Sequence, residues 1–260
     1  AAVARAPGRP LVRLEDGFLR SYGTGSNFPP LSLVTDELGI YYDSTVPSTL
    51  EHRINAPAAL LKESGESIRR AMQAIVKHQL SKYNHGPALQ GDTLRASDAH
   101  KVLVVDQTAG DLSLQLGSAG PDAFQRMLAA ALEEDPHATI YVKTHPEVSN
   151  RRKRGHLTHV KEDARTVVLR SPVNPLSLIE QMDRVYVVTS TMGFEALLAG
   201  KPVTCFGMPW YAGWGVTDDR QTCARRTRRS TASARCWNSR RARRSTGATC
   251  ITCGASATRC

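Results

Sequence analysis

No apolar run approaches the roughly 20 residues that a bilayer-spanning helix needs. The opening stretch, Ala1 to Arg13, lacks the charged-then-apolar order of a signal peptide. A cytoplasmic protein is therefore expected. Lysine, aspartate and glutamate are all missing from residues 221–260, which hold ten of the arginines. The chain has 34 Lys and Arg against 24 Asp and Glu, so removing those ten leaves 24 of each sign in 1–220. The net charge of +10 thus belongs to the last forty residues, which weakens the usual argument from a basic chain to nucleic acid. The same segment has no Leu, Val, Phe, Met or Tyr and one Ile, too little apolar surface to offset the entropy of ordering. We read 225–260 as disordered or as an out-of-frame translation. A basic arm for nucleic acid or anionic lipid is the rival reading, and an apolar-periodic helix in another frame of the encoding DNA would separate the two. Cysteine is nearly absent from the body, where Cys205 stands alone. The tail's Cys250-Ile251-Thr252-Cys253 has no second pair with which to build a zinc site. There is no internal repeat.

What is present is ordered alternation. Short strands are expected at Leu11 to Leu14, Leu31 to Val34 and Ile40 to Tyr42, around turn residues 36–39. Ser48 with Glu51 is a capping box, so a helix begins near Thr49. A second helix is expected over about 66–82, with Ile68, Met72, Ile75, Val76 and Leu80 on an inward face. Residues 84–99 are polar with Gly and Pro and read as a linker or long loop. From Lys101 the pattern changes. Val102-Leu103-Val104-Val105 is a continuous apolar strand of the kind a parallel sheet buries on both faces. A helix over 121–134 follows, with Phe124, Met127, Leu128 and Leu132 inward. Then come strands Thr139 to Val142 and Thr166 to Leu169, a helix over 175–182, strand Val185 to Val188, a helix over 191–199 closed by Gly200, and strand Pro202 to Phe206. Such alternation predicts a parallel sheet with helices on both faces and ligands at the carboxyl ends of the strands.

Three motifs fall at those ends. Glu15-Asp16-Gly17 places adjacent carboxylates where a nucleophile or an acid/base is useful, although Asp-Gly is also a plain turn. Lys143-Thr144-His145-Pro146 suits a phosphate or a sugar carboxylate, or is a solvated loop. Thr189-Ser190-Thr191-Met192-Gly193 brings hydroxyls to a helix start, where free N–H groups favour an anion; an ordinary N-cap uses the same residues. Glu195, one turn on, can accept from ribose hydroxyls or face solvent.

Together, in that order, the three resemble the set in GT-B glycosyltransferases that use CMP-activated ulosonic sugars, bacterial sialyltransferases among them. Longer strings resemble the KpsC/LipA family of capsule polysaccharide biosynthesis proteins. They are Glu15-Asp16-Gly17-Phe18-Leu19-Arg20-Ser21, Gly39-Ile40-Tyr41-Tyr42-Asp43, Val104-Val105-Asp106-Gln107, Gly193-Phe194-Glu195-Ala196-Leu197-Leu198, Gly200-Lys201-Pro202-Val203 and Gly207-Met208-Pro209-Trp210-Tyr211-Ala212-Gly213-Trp214-Gly215. The resemblance covers about 11–224.

It implies an α/β, GT-B-like fold. Residues 1–99 form an incomplete N-terminal, acceptor-side lobe with its linker from about 84, 100–224 a Rossmann-like nucleotide-binding lobe with a parallel sheet, and 225–260 a tail. It implies transfer of Kdo from CMP-Kdo, with retention, to a lipid-linked saccharide at the inner membrane face. Other capsule assembly and export proteins are the implied partners; nucleic acid is not. On this reading Asp16 is the catalytic carboxylate and Glu15 orients it or acts as acid/base. Lys143 and His145 hold the phosphate or the sugar carboxylate, Ser190 and Thr191 bind the CMP phosphate, and Glu195 meets the ribose. Arg20 and Gln107 are candidate substrate contacts. Tyr211 and Trp214 wall the nucleotide or acceptor, or pack in the core. No metal or cofactor beyond the donor is required, since lysine, histidine and helix dipole can carry the leaving phosphate. The family has more chain before the Glu15-Asp16-Gly17 motif and ordinary helix after the Trp214 region, so a truncated, poorly active module is expected. The alternatives are a sialyltransferase-like enzyme for another CMP-sugar and a non-catalytic capsule assembly or export component.

Overall fold

A computed structural model describes residues 11–23, 28–56, 65–82, 84–96, 99–149 and 153–226, all within one compact unit, 1–227. Six parallel strands form its centre: β3 (Lys101–Val105), β4 (Thr139–Lys143), β5 (Thr166–Leu169), β6 (Arg184–Val187), β7 (Val203–Cys205) and β8 (Asp218–Asp219). Their spatial order is β5-β4-β3-β6-β7-β8. Counted from β3, the strands run third, second, first, fourth, fifth, sixth, the doubly wound order whose direction reverses between the first strand and the fourth. Register runs Val104 beside Val142 on one flank and Tyr186 on the other. The apolar runs end up where their composition requires. Val102, Leu103, Val104, Ile140, Tyr141, Val142, Val185, Tyr186 and Val187 are all fully buried.

Two apolar layers enclose the sheet. On one face α4 (Asp122–Glu134) covers Val102, Val104, Ile140 and Val142 with Phe124 and Met127, while Leu128 and Leu132 pack partly buried at the edge. On the other, α6 (Pro175–Glu180) and α7 (Met192–Leu198) bring Leu178, Ile179, Ala196 and Leu197 against Leu103, Val185 and Val203. Gly200 ends α7 at φ +75°, a conformation only glycine adopts without strain. Two short helices, α3 (Leu112–Leu116) and α5 (Pro146–Ser149), follow β3 and β4 directly; both are too short to show a helical period in the sequence.

The first hundred residues differ more from expectation. β1 (Arg13–Asp16) and β2 (Leu33–Asp36) pair antiparallel as a two-stranded sheet, and 40–42 is turn rather than strand. Ser48 caps α1 (Thr49–Asn55), accepting from the Glu51 amide, but the Glu51 side chain does not fold back as a capping box would have it. The second helix, α2 (Gly65–Lys77), stops five residues short of 82 and fully buries none of its residues: on the face expected to point inward Ile75 and Val76 are half-buried and Ile68 and Met72 are exposed. Residues 84–96 are irregular but not a detached linker: Leu89 and Leu94 pack against the core, and the Tyr141 hydroxyl accepts from the Arg95 amide. Of the segment assigned to the tail, Arg225 and Arg226 are described and pack into the body; the paired cysteines and the rest lie outside the described residues. No described helix is long and apolar enough to cross a membrane.

Candidate active site

A cavity of about 260 Å³ opens at the carboxyl ends of β3, β4 and β6, at the point where strand order reverses. Of the motif residues, Glu15, Gln107, Lys143, His145, Ser190, Thr191 and Glu195 line it. Asp16, Arg20, Tyr211 and Trp214 do not.

β4 delivers Lys143 to the cavity at only 6% exposure, where its Nζ donates to the Thr144 carbonyl at 2.8 Å. Removal from water disfavours the ammonium, which lowers the pKa to about 8. His145 is lowered as well, first by the same desolvation. Its Nδ1 accepts from the Glu147 amide at 3.2 Å, which puts the proton of the neutral ring on Nε2. Asp106, at the end of β3, is buried and raised by desolvation, and its Oδ1 accepts the amides of Gln107 and His156.

The turn after β6 is held from beneath. Gln107 Oε1 accepts the Thr189 amide at 2.9 Å, and its Nε2 donates to Thr189 Oγ1 at 3.0 Å and to Asp111 Oδ2 at 3.3 Å. Gln107 therefore ties the β3 end to the β6 end and orients a carboxylate. Thr191 occupies the N-cap position of α7 without a side-chain cap bond, and Ser190 Oγ accepts the Met192 amide at 3.3 Å. Tyr211 is core, not cavity wall. Its hydroxyl donates to the Ser190 carbonyl at 2.5 Å, under the first turn of α7. Gly193 leaves room for it: a Cβ there would sit 2.2 Å from that hydroxyl. Trp214 donates its ring N–H to the Trp210 carbonyl, and it is Trp210 that faces the cavity. Glu195, 1% exposed and raised to about 7 by burial, accepts from Ser81 Oγ, so it is not a solvated helix residue.

The carboxylate pair of β1 divides. Asp16 is bonded to Arg20 Nε at 2.7 Å. Arg20 also donates to Ser21 Oγ, Gly23 O and Phe28 O, so it braces the turn after β1 and is not among the residues that line the cavity. Glu15 alternates to the other side of the strand, as strand geometry demands, and meets the cavity. Tyr42 donates a hydrogen bond to it, and the pKa of the Tyr42 phenol is raised by burial and then by the Glu15 charge. A further cavity carboxylate, Asp111, belongs to none of the three motifs. It is the N-cap of α3, accepting the Ser113 amide at 2.9 Å. The only sequence signal for it was its place four residues after Gln107. Tyr41, Tyr42, Lys82 and Trp210 also face the cavity and were not singled out.

A doubly wound sheet with cations, hydroxyls and carboxylates at its switch point is the architecture of a glycosyltransferase-like α/β protein. Solved structures agree. One described as Thermosulfurimonas dismutans KpsC, beta Kdo 2,4 transferase, superposes with a TM-score of 0.81 at 48% identity, covering 87% of this chain and 70% of that one. The beta Kdo 2,7 transferase of the same KpsC superposes at 0.62 and 30% identity, over 88% and 68%. The chain belongs to the capsule polysaccharide biosynthesis protein family, whose model matches residues 1–243. It is 52% identical over 214 residues to the capsule polysaccharide modification protein LipA of Neisseria meningitidis serogroup A, covering 81% of this chain and 30% of LipA. To the lipopolysaccharide-processing protein LpsZ of Rhizobium meliloti it is 40% identical over 230 residues, covering 85% of this chain and 50% of LpsZ. The chain thus spans 30% to 50% of the length of these two relatives.

Proposed function

We propose that this chain is a module that transfers Kdo from CMP-Kdo, with retention, to a lipid-linked saccharide of capsule assembly, working without a metal at the inner face of the membrane. The observation that carries the reading is one cavity in which Lys143, His145, Ser190 and Thr191 can meet an anion while the carboxylates of Glu15 and Asp111 can meet a reacting carbon. Its likeness to two Kdo transferases supports the choice of sugar.

The roles follow from placement. Lys143 and His145 hold the phosphate, and Ser190 and Thr191 donate to it. Glu195 accepts from the ribose. Asp111, oriented by Gln107 and the Ser113 amide, attacks the anomeric carbon; that carbon's bond to the phosphate oxygen breaks, and CMP leaves with the electron pair. The acceptor hydroxyl then attacks the same carbon, its proton passes to Glu15, and the bond to Asp111 breaks. Two inversions give net retention. Asp16 stays an ion-pair partner of Arg20.

CMP release from CMP-Kdo and from CMP-sialic acid, with a Kdo-terminated lipid acceptor, tests the reading. CMP-Kdo should be consumed and CMP-sialic acid should not; the reverse preference would make this a sialyltransferase-like enzyme. Asp111→Asn should lose at least about a thousandfold in turnover, and Asp16→Asn far less. Full activity in Asp111→Asn would leave the chain a non-catalytic assembly component or move the chemistry to Glu15.

A further inference from the structure

The cavity holds a cation with no part in the roles above. Lys82 lines it, half-buried, and is delivered there by a strained piece of backbone. α2 ends when Gln79 adopts φ +51°, a left-handed conformation that a side chain makes unfavourable by about 1 kcal/mol or more. The Leu80 amide then donates back to the Ile75 carbonyl at 2.9 Å and closes the helix. The turn is pinned on both sides: Asn174 Nδ2 donates to the Gln79 carbonyl at 2.9 Å, and Ser81 Oγ donates to Glu195 on α7. Asn84 accepts the Ser81 amide and donates to the Ser21 carbonyl at 3.0 Å. A helix continued to residue 82 could make none of these contacts. The fold gives up a turn of helix, accepts a strained residue, and thereby places Lys82 in the cavity.

Lys82 does not serve as a counter-ion there. Glu195 is held by Ser81, and among the described residues neither Lys82 nor Lys143 forms an ion pair. Lys143 arrives from β4, while Lys82 follows the residue bonded to α7, which succeeds β6. β4 and β6 flank β3, so their ends lie roughly 10 Å apart at about 4.8 Å per strand spacing. Two lysines thus enter one cavity from different sides. A sugar phosphodiester carries one negative charge, which Lys143 and His145 already meet. A second unpaired cation fits a ligand with a second negative charge.

We infer that Lys82 is a specificity-determining residue that recognises the carboxylate of an acidic sugar donor, separately from the phosphate held by Lys143. This rests on the CMP-sugar reading given under Proposed function. It makes the acidic sugar the preferred substrate, since a neutral sugar would leave the ammonium without a partner in the cavity.

The test compares two probes on the same protein, CMP as its methyl phosphodiester, with one negative charge, and freshly prepared CMP-Kdo, with two, titrated by tryptophan fluorescence. Wild type should bind CMP-Kdo more tightly than the methyl diester. Lys82→Met should weaken CMP-Kdo about tenfold and leave the methyl diester within twofold, and Lys82→Arg should restore most of the loss. Lys143→Met should weaken both. Thermal denaturation of each variant shows that it is folded; if Lys82→Met is not, the Lys82→Gln variant takes its place. Equal weakening of both probes by Lys82→Met, or no effect on either, overturns the inference, and so does a wild type that binds the two alike. A wild type that binds neither probe overturns the CMP-sugar reading first, and this inference with it.

Discussion

Lys143 is a cation held almost out of water. At 6% exposure its ammonium is disfavoured in the free protein, with a pKa of about 8, while a bound phosphate would favour it. The sign follows. Below about pH 8 the lysine is already charged and this group leaves affinity unchanged. As pH rises past 8 each binding event must take up a proton, and CMP affinity falls by up to tenfold per unit. Calorimetric titration of CMP between pH 7 and 9 in two buffers of different ionisation enthalpy should show proton uptake that grows with pH and is absent in Lys143→Met. An affinity flat across that range in wild type would mean that Lys143 does not meet the phosphate. The same residue shows what a motif can and cannot reveal. Its neighbours in the sequence marked a strand end, and a strand end in a parallel sheet is a ligand position. Asp16 had an equally good motif but sits one pleat away from Glu15, and the sequence does not say which of two adjacent carboxylates a twisted two-stranded ribbon turns inward. Asp111 lay in a segment where no period predicts direction, and Lys82 lay at the end of an expected helix that the structure breaks at Gln79.

At the scale of elements, the best-read pieces are those buried on both faces. Val102 to Val105, Thr139 to Val142 and Val185 to Val188 had no polar side to present, so a central parallel sheet was the only economical home for them. α2 is covered less than its pattern suggests, because amphipathicity states that a helix has an apolar side, not how fully that side is covered. The α7 turn is the element whose geometry is easiest to perturb. A Cβ at Gly193 would lie 2.2 Å from the Tyr211 hydroxyl and 3.0 Å from Val187. Gly193→Ala should therefore destabilise the protein by about 1–3 kcal/mol, as overpacking does, and should weaken CMP binding by displacing Ser190. Tyr211→Phe removes the nearer obstacle. The two substitutions combined should cost less than their sum in chemical denaturation, a coupling that simple additivity would refute.

Across the whole molecule, one buried carboxylate joins distant parts of the chain. Glu51 on α1, 4% exposed, accepts from Arg225 Nε at 2.8 Å and from Arg226 Nε at 3.2 Å. Arg225 continues to the carbonyls of Ser44 and Val46, and Arg226 to those of Pro209 and Ala212 beside Trp210. Glu51→Ala would leave the Arg226 guanidinium, its side chain 2% exposed, without a counter-charge. A loss of about 3–5 kcal/mol is expected, read as a lower denaturant midpoint at unchanged slope. Glu51→Gln keeps one acceptor oxygen but no charge, and turns an N–H donor towards the other arginine, so it too should be destabilised, though less than Glu51→Ala; a Gln variant as stable as wild type would show that the charge is irrelevant. The clasp also sets an order of events in the cell. Glu51 leaves the ribosome some 174 residues before its first partner. At roughly 5–20 residues per second of synthesis it waits about 9 to 35 seconds with neither arginine available. Until they arrive, burying α1 would strand a carboxylate without a counter-charge, so α1 is expected to dock late, after the strands from β3 to β7 are available, and early protection of its amides in pulsed hydrogen exchange would refute that order.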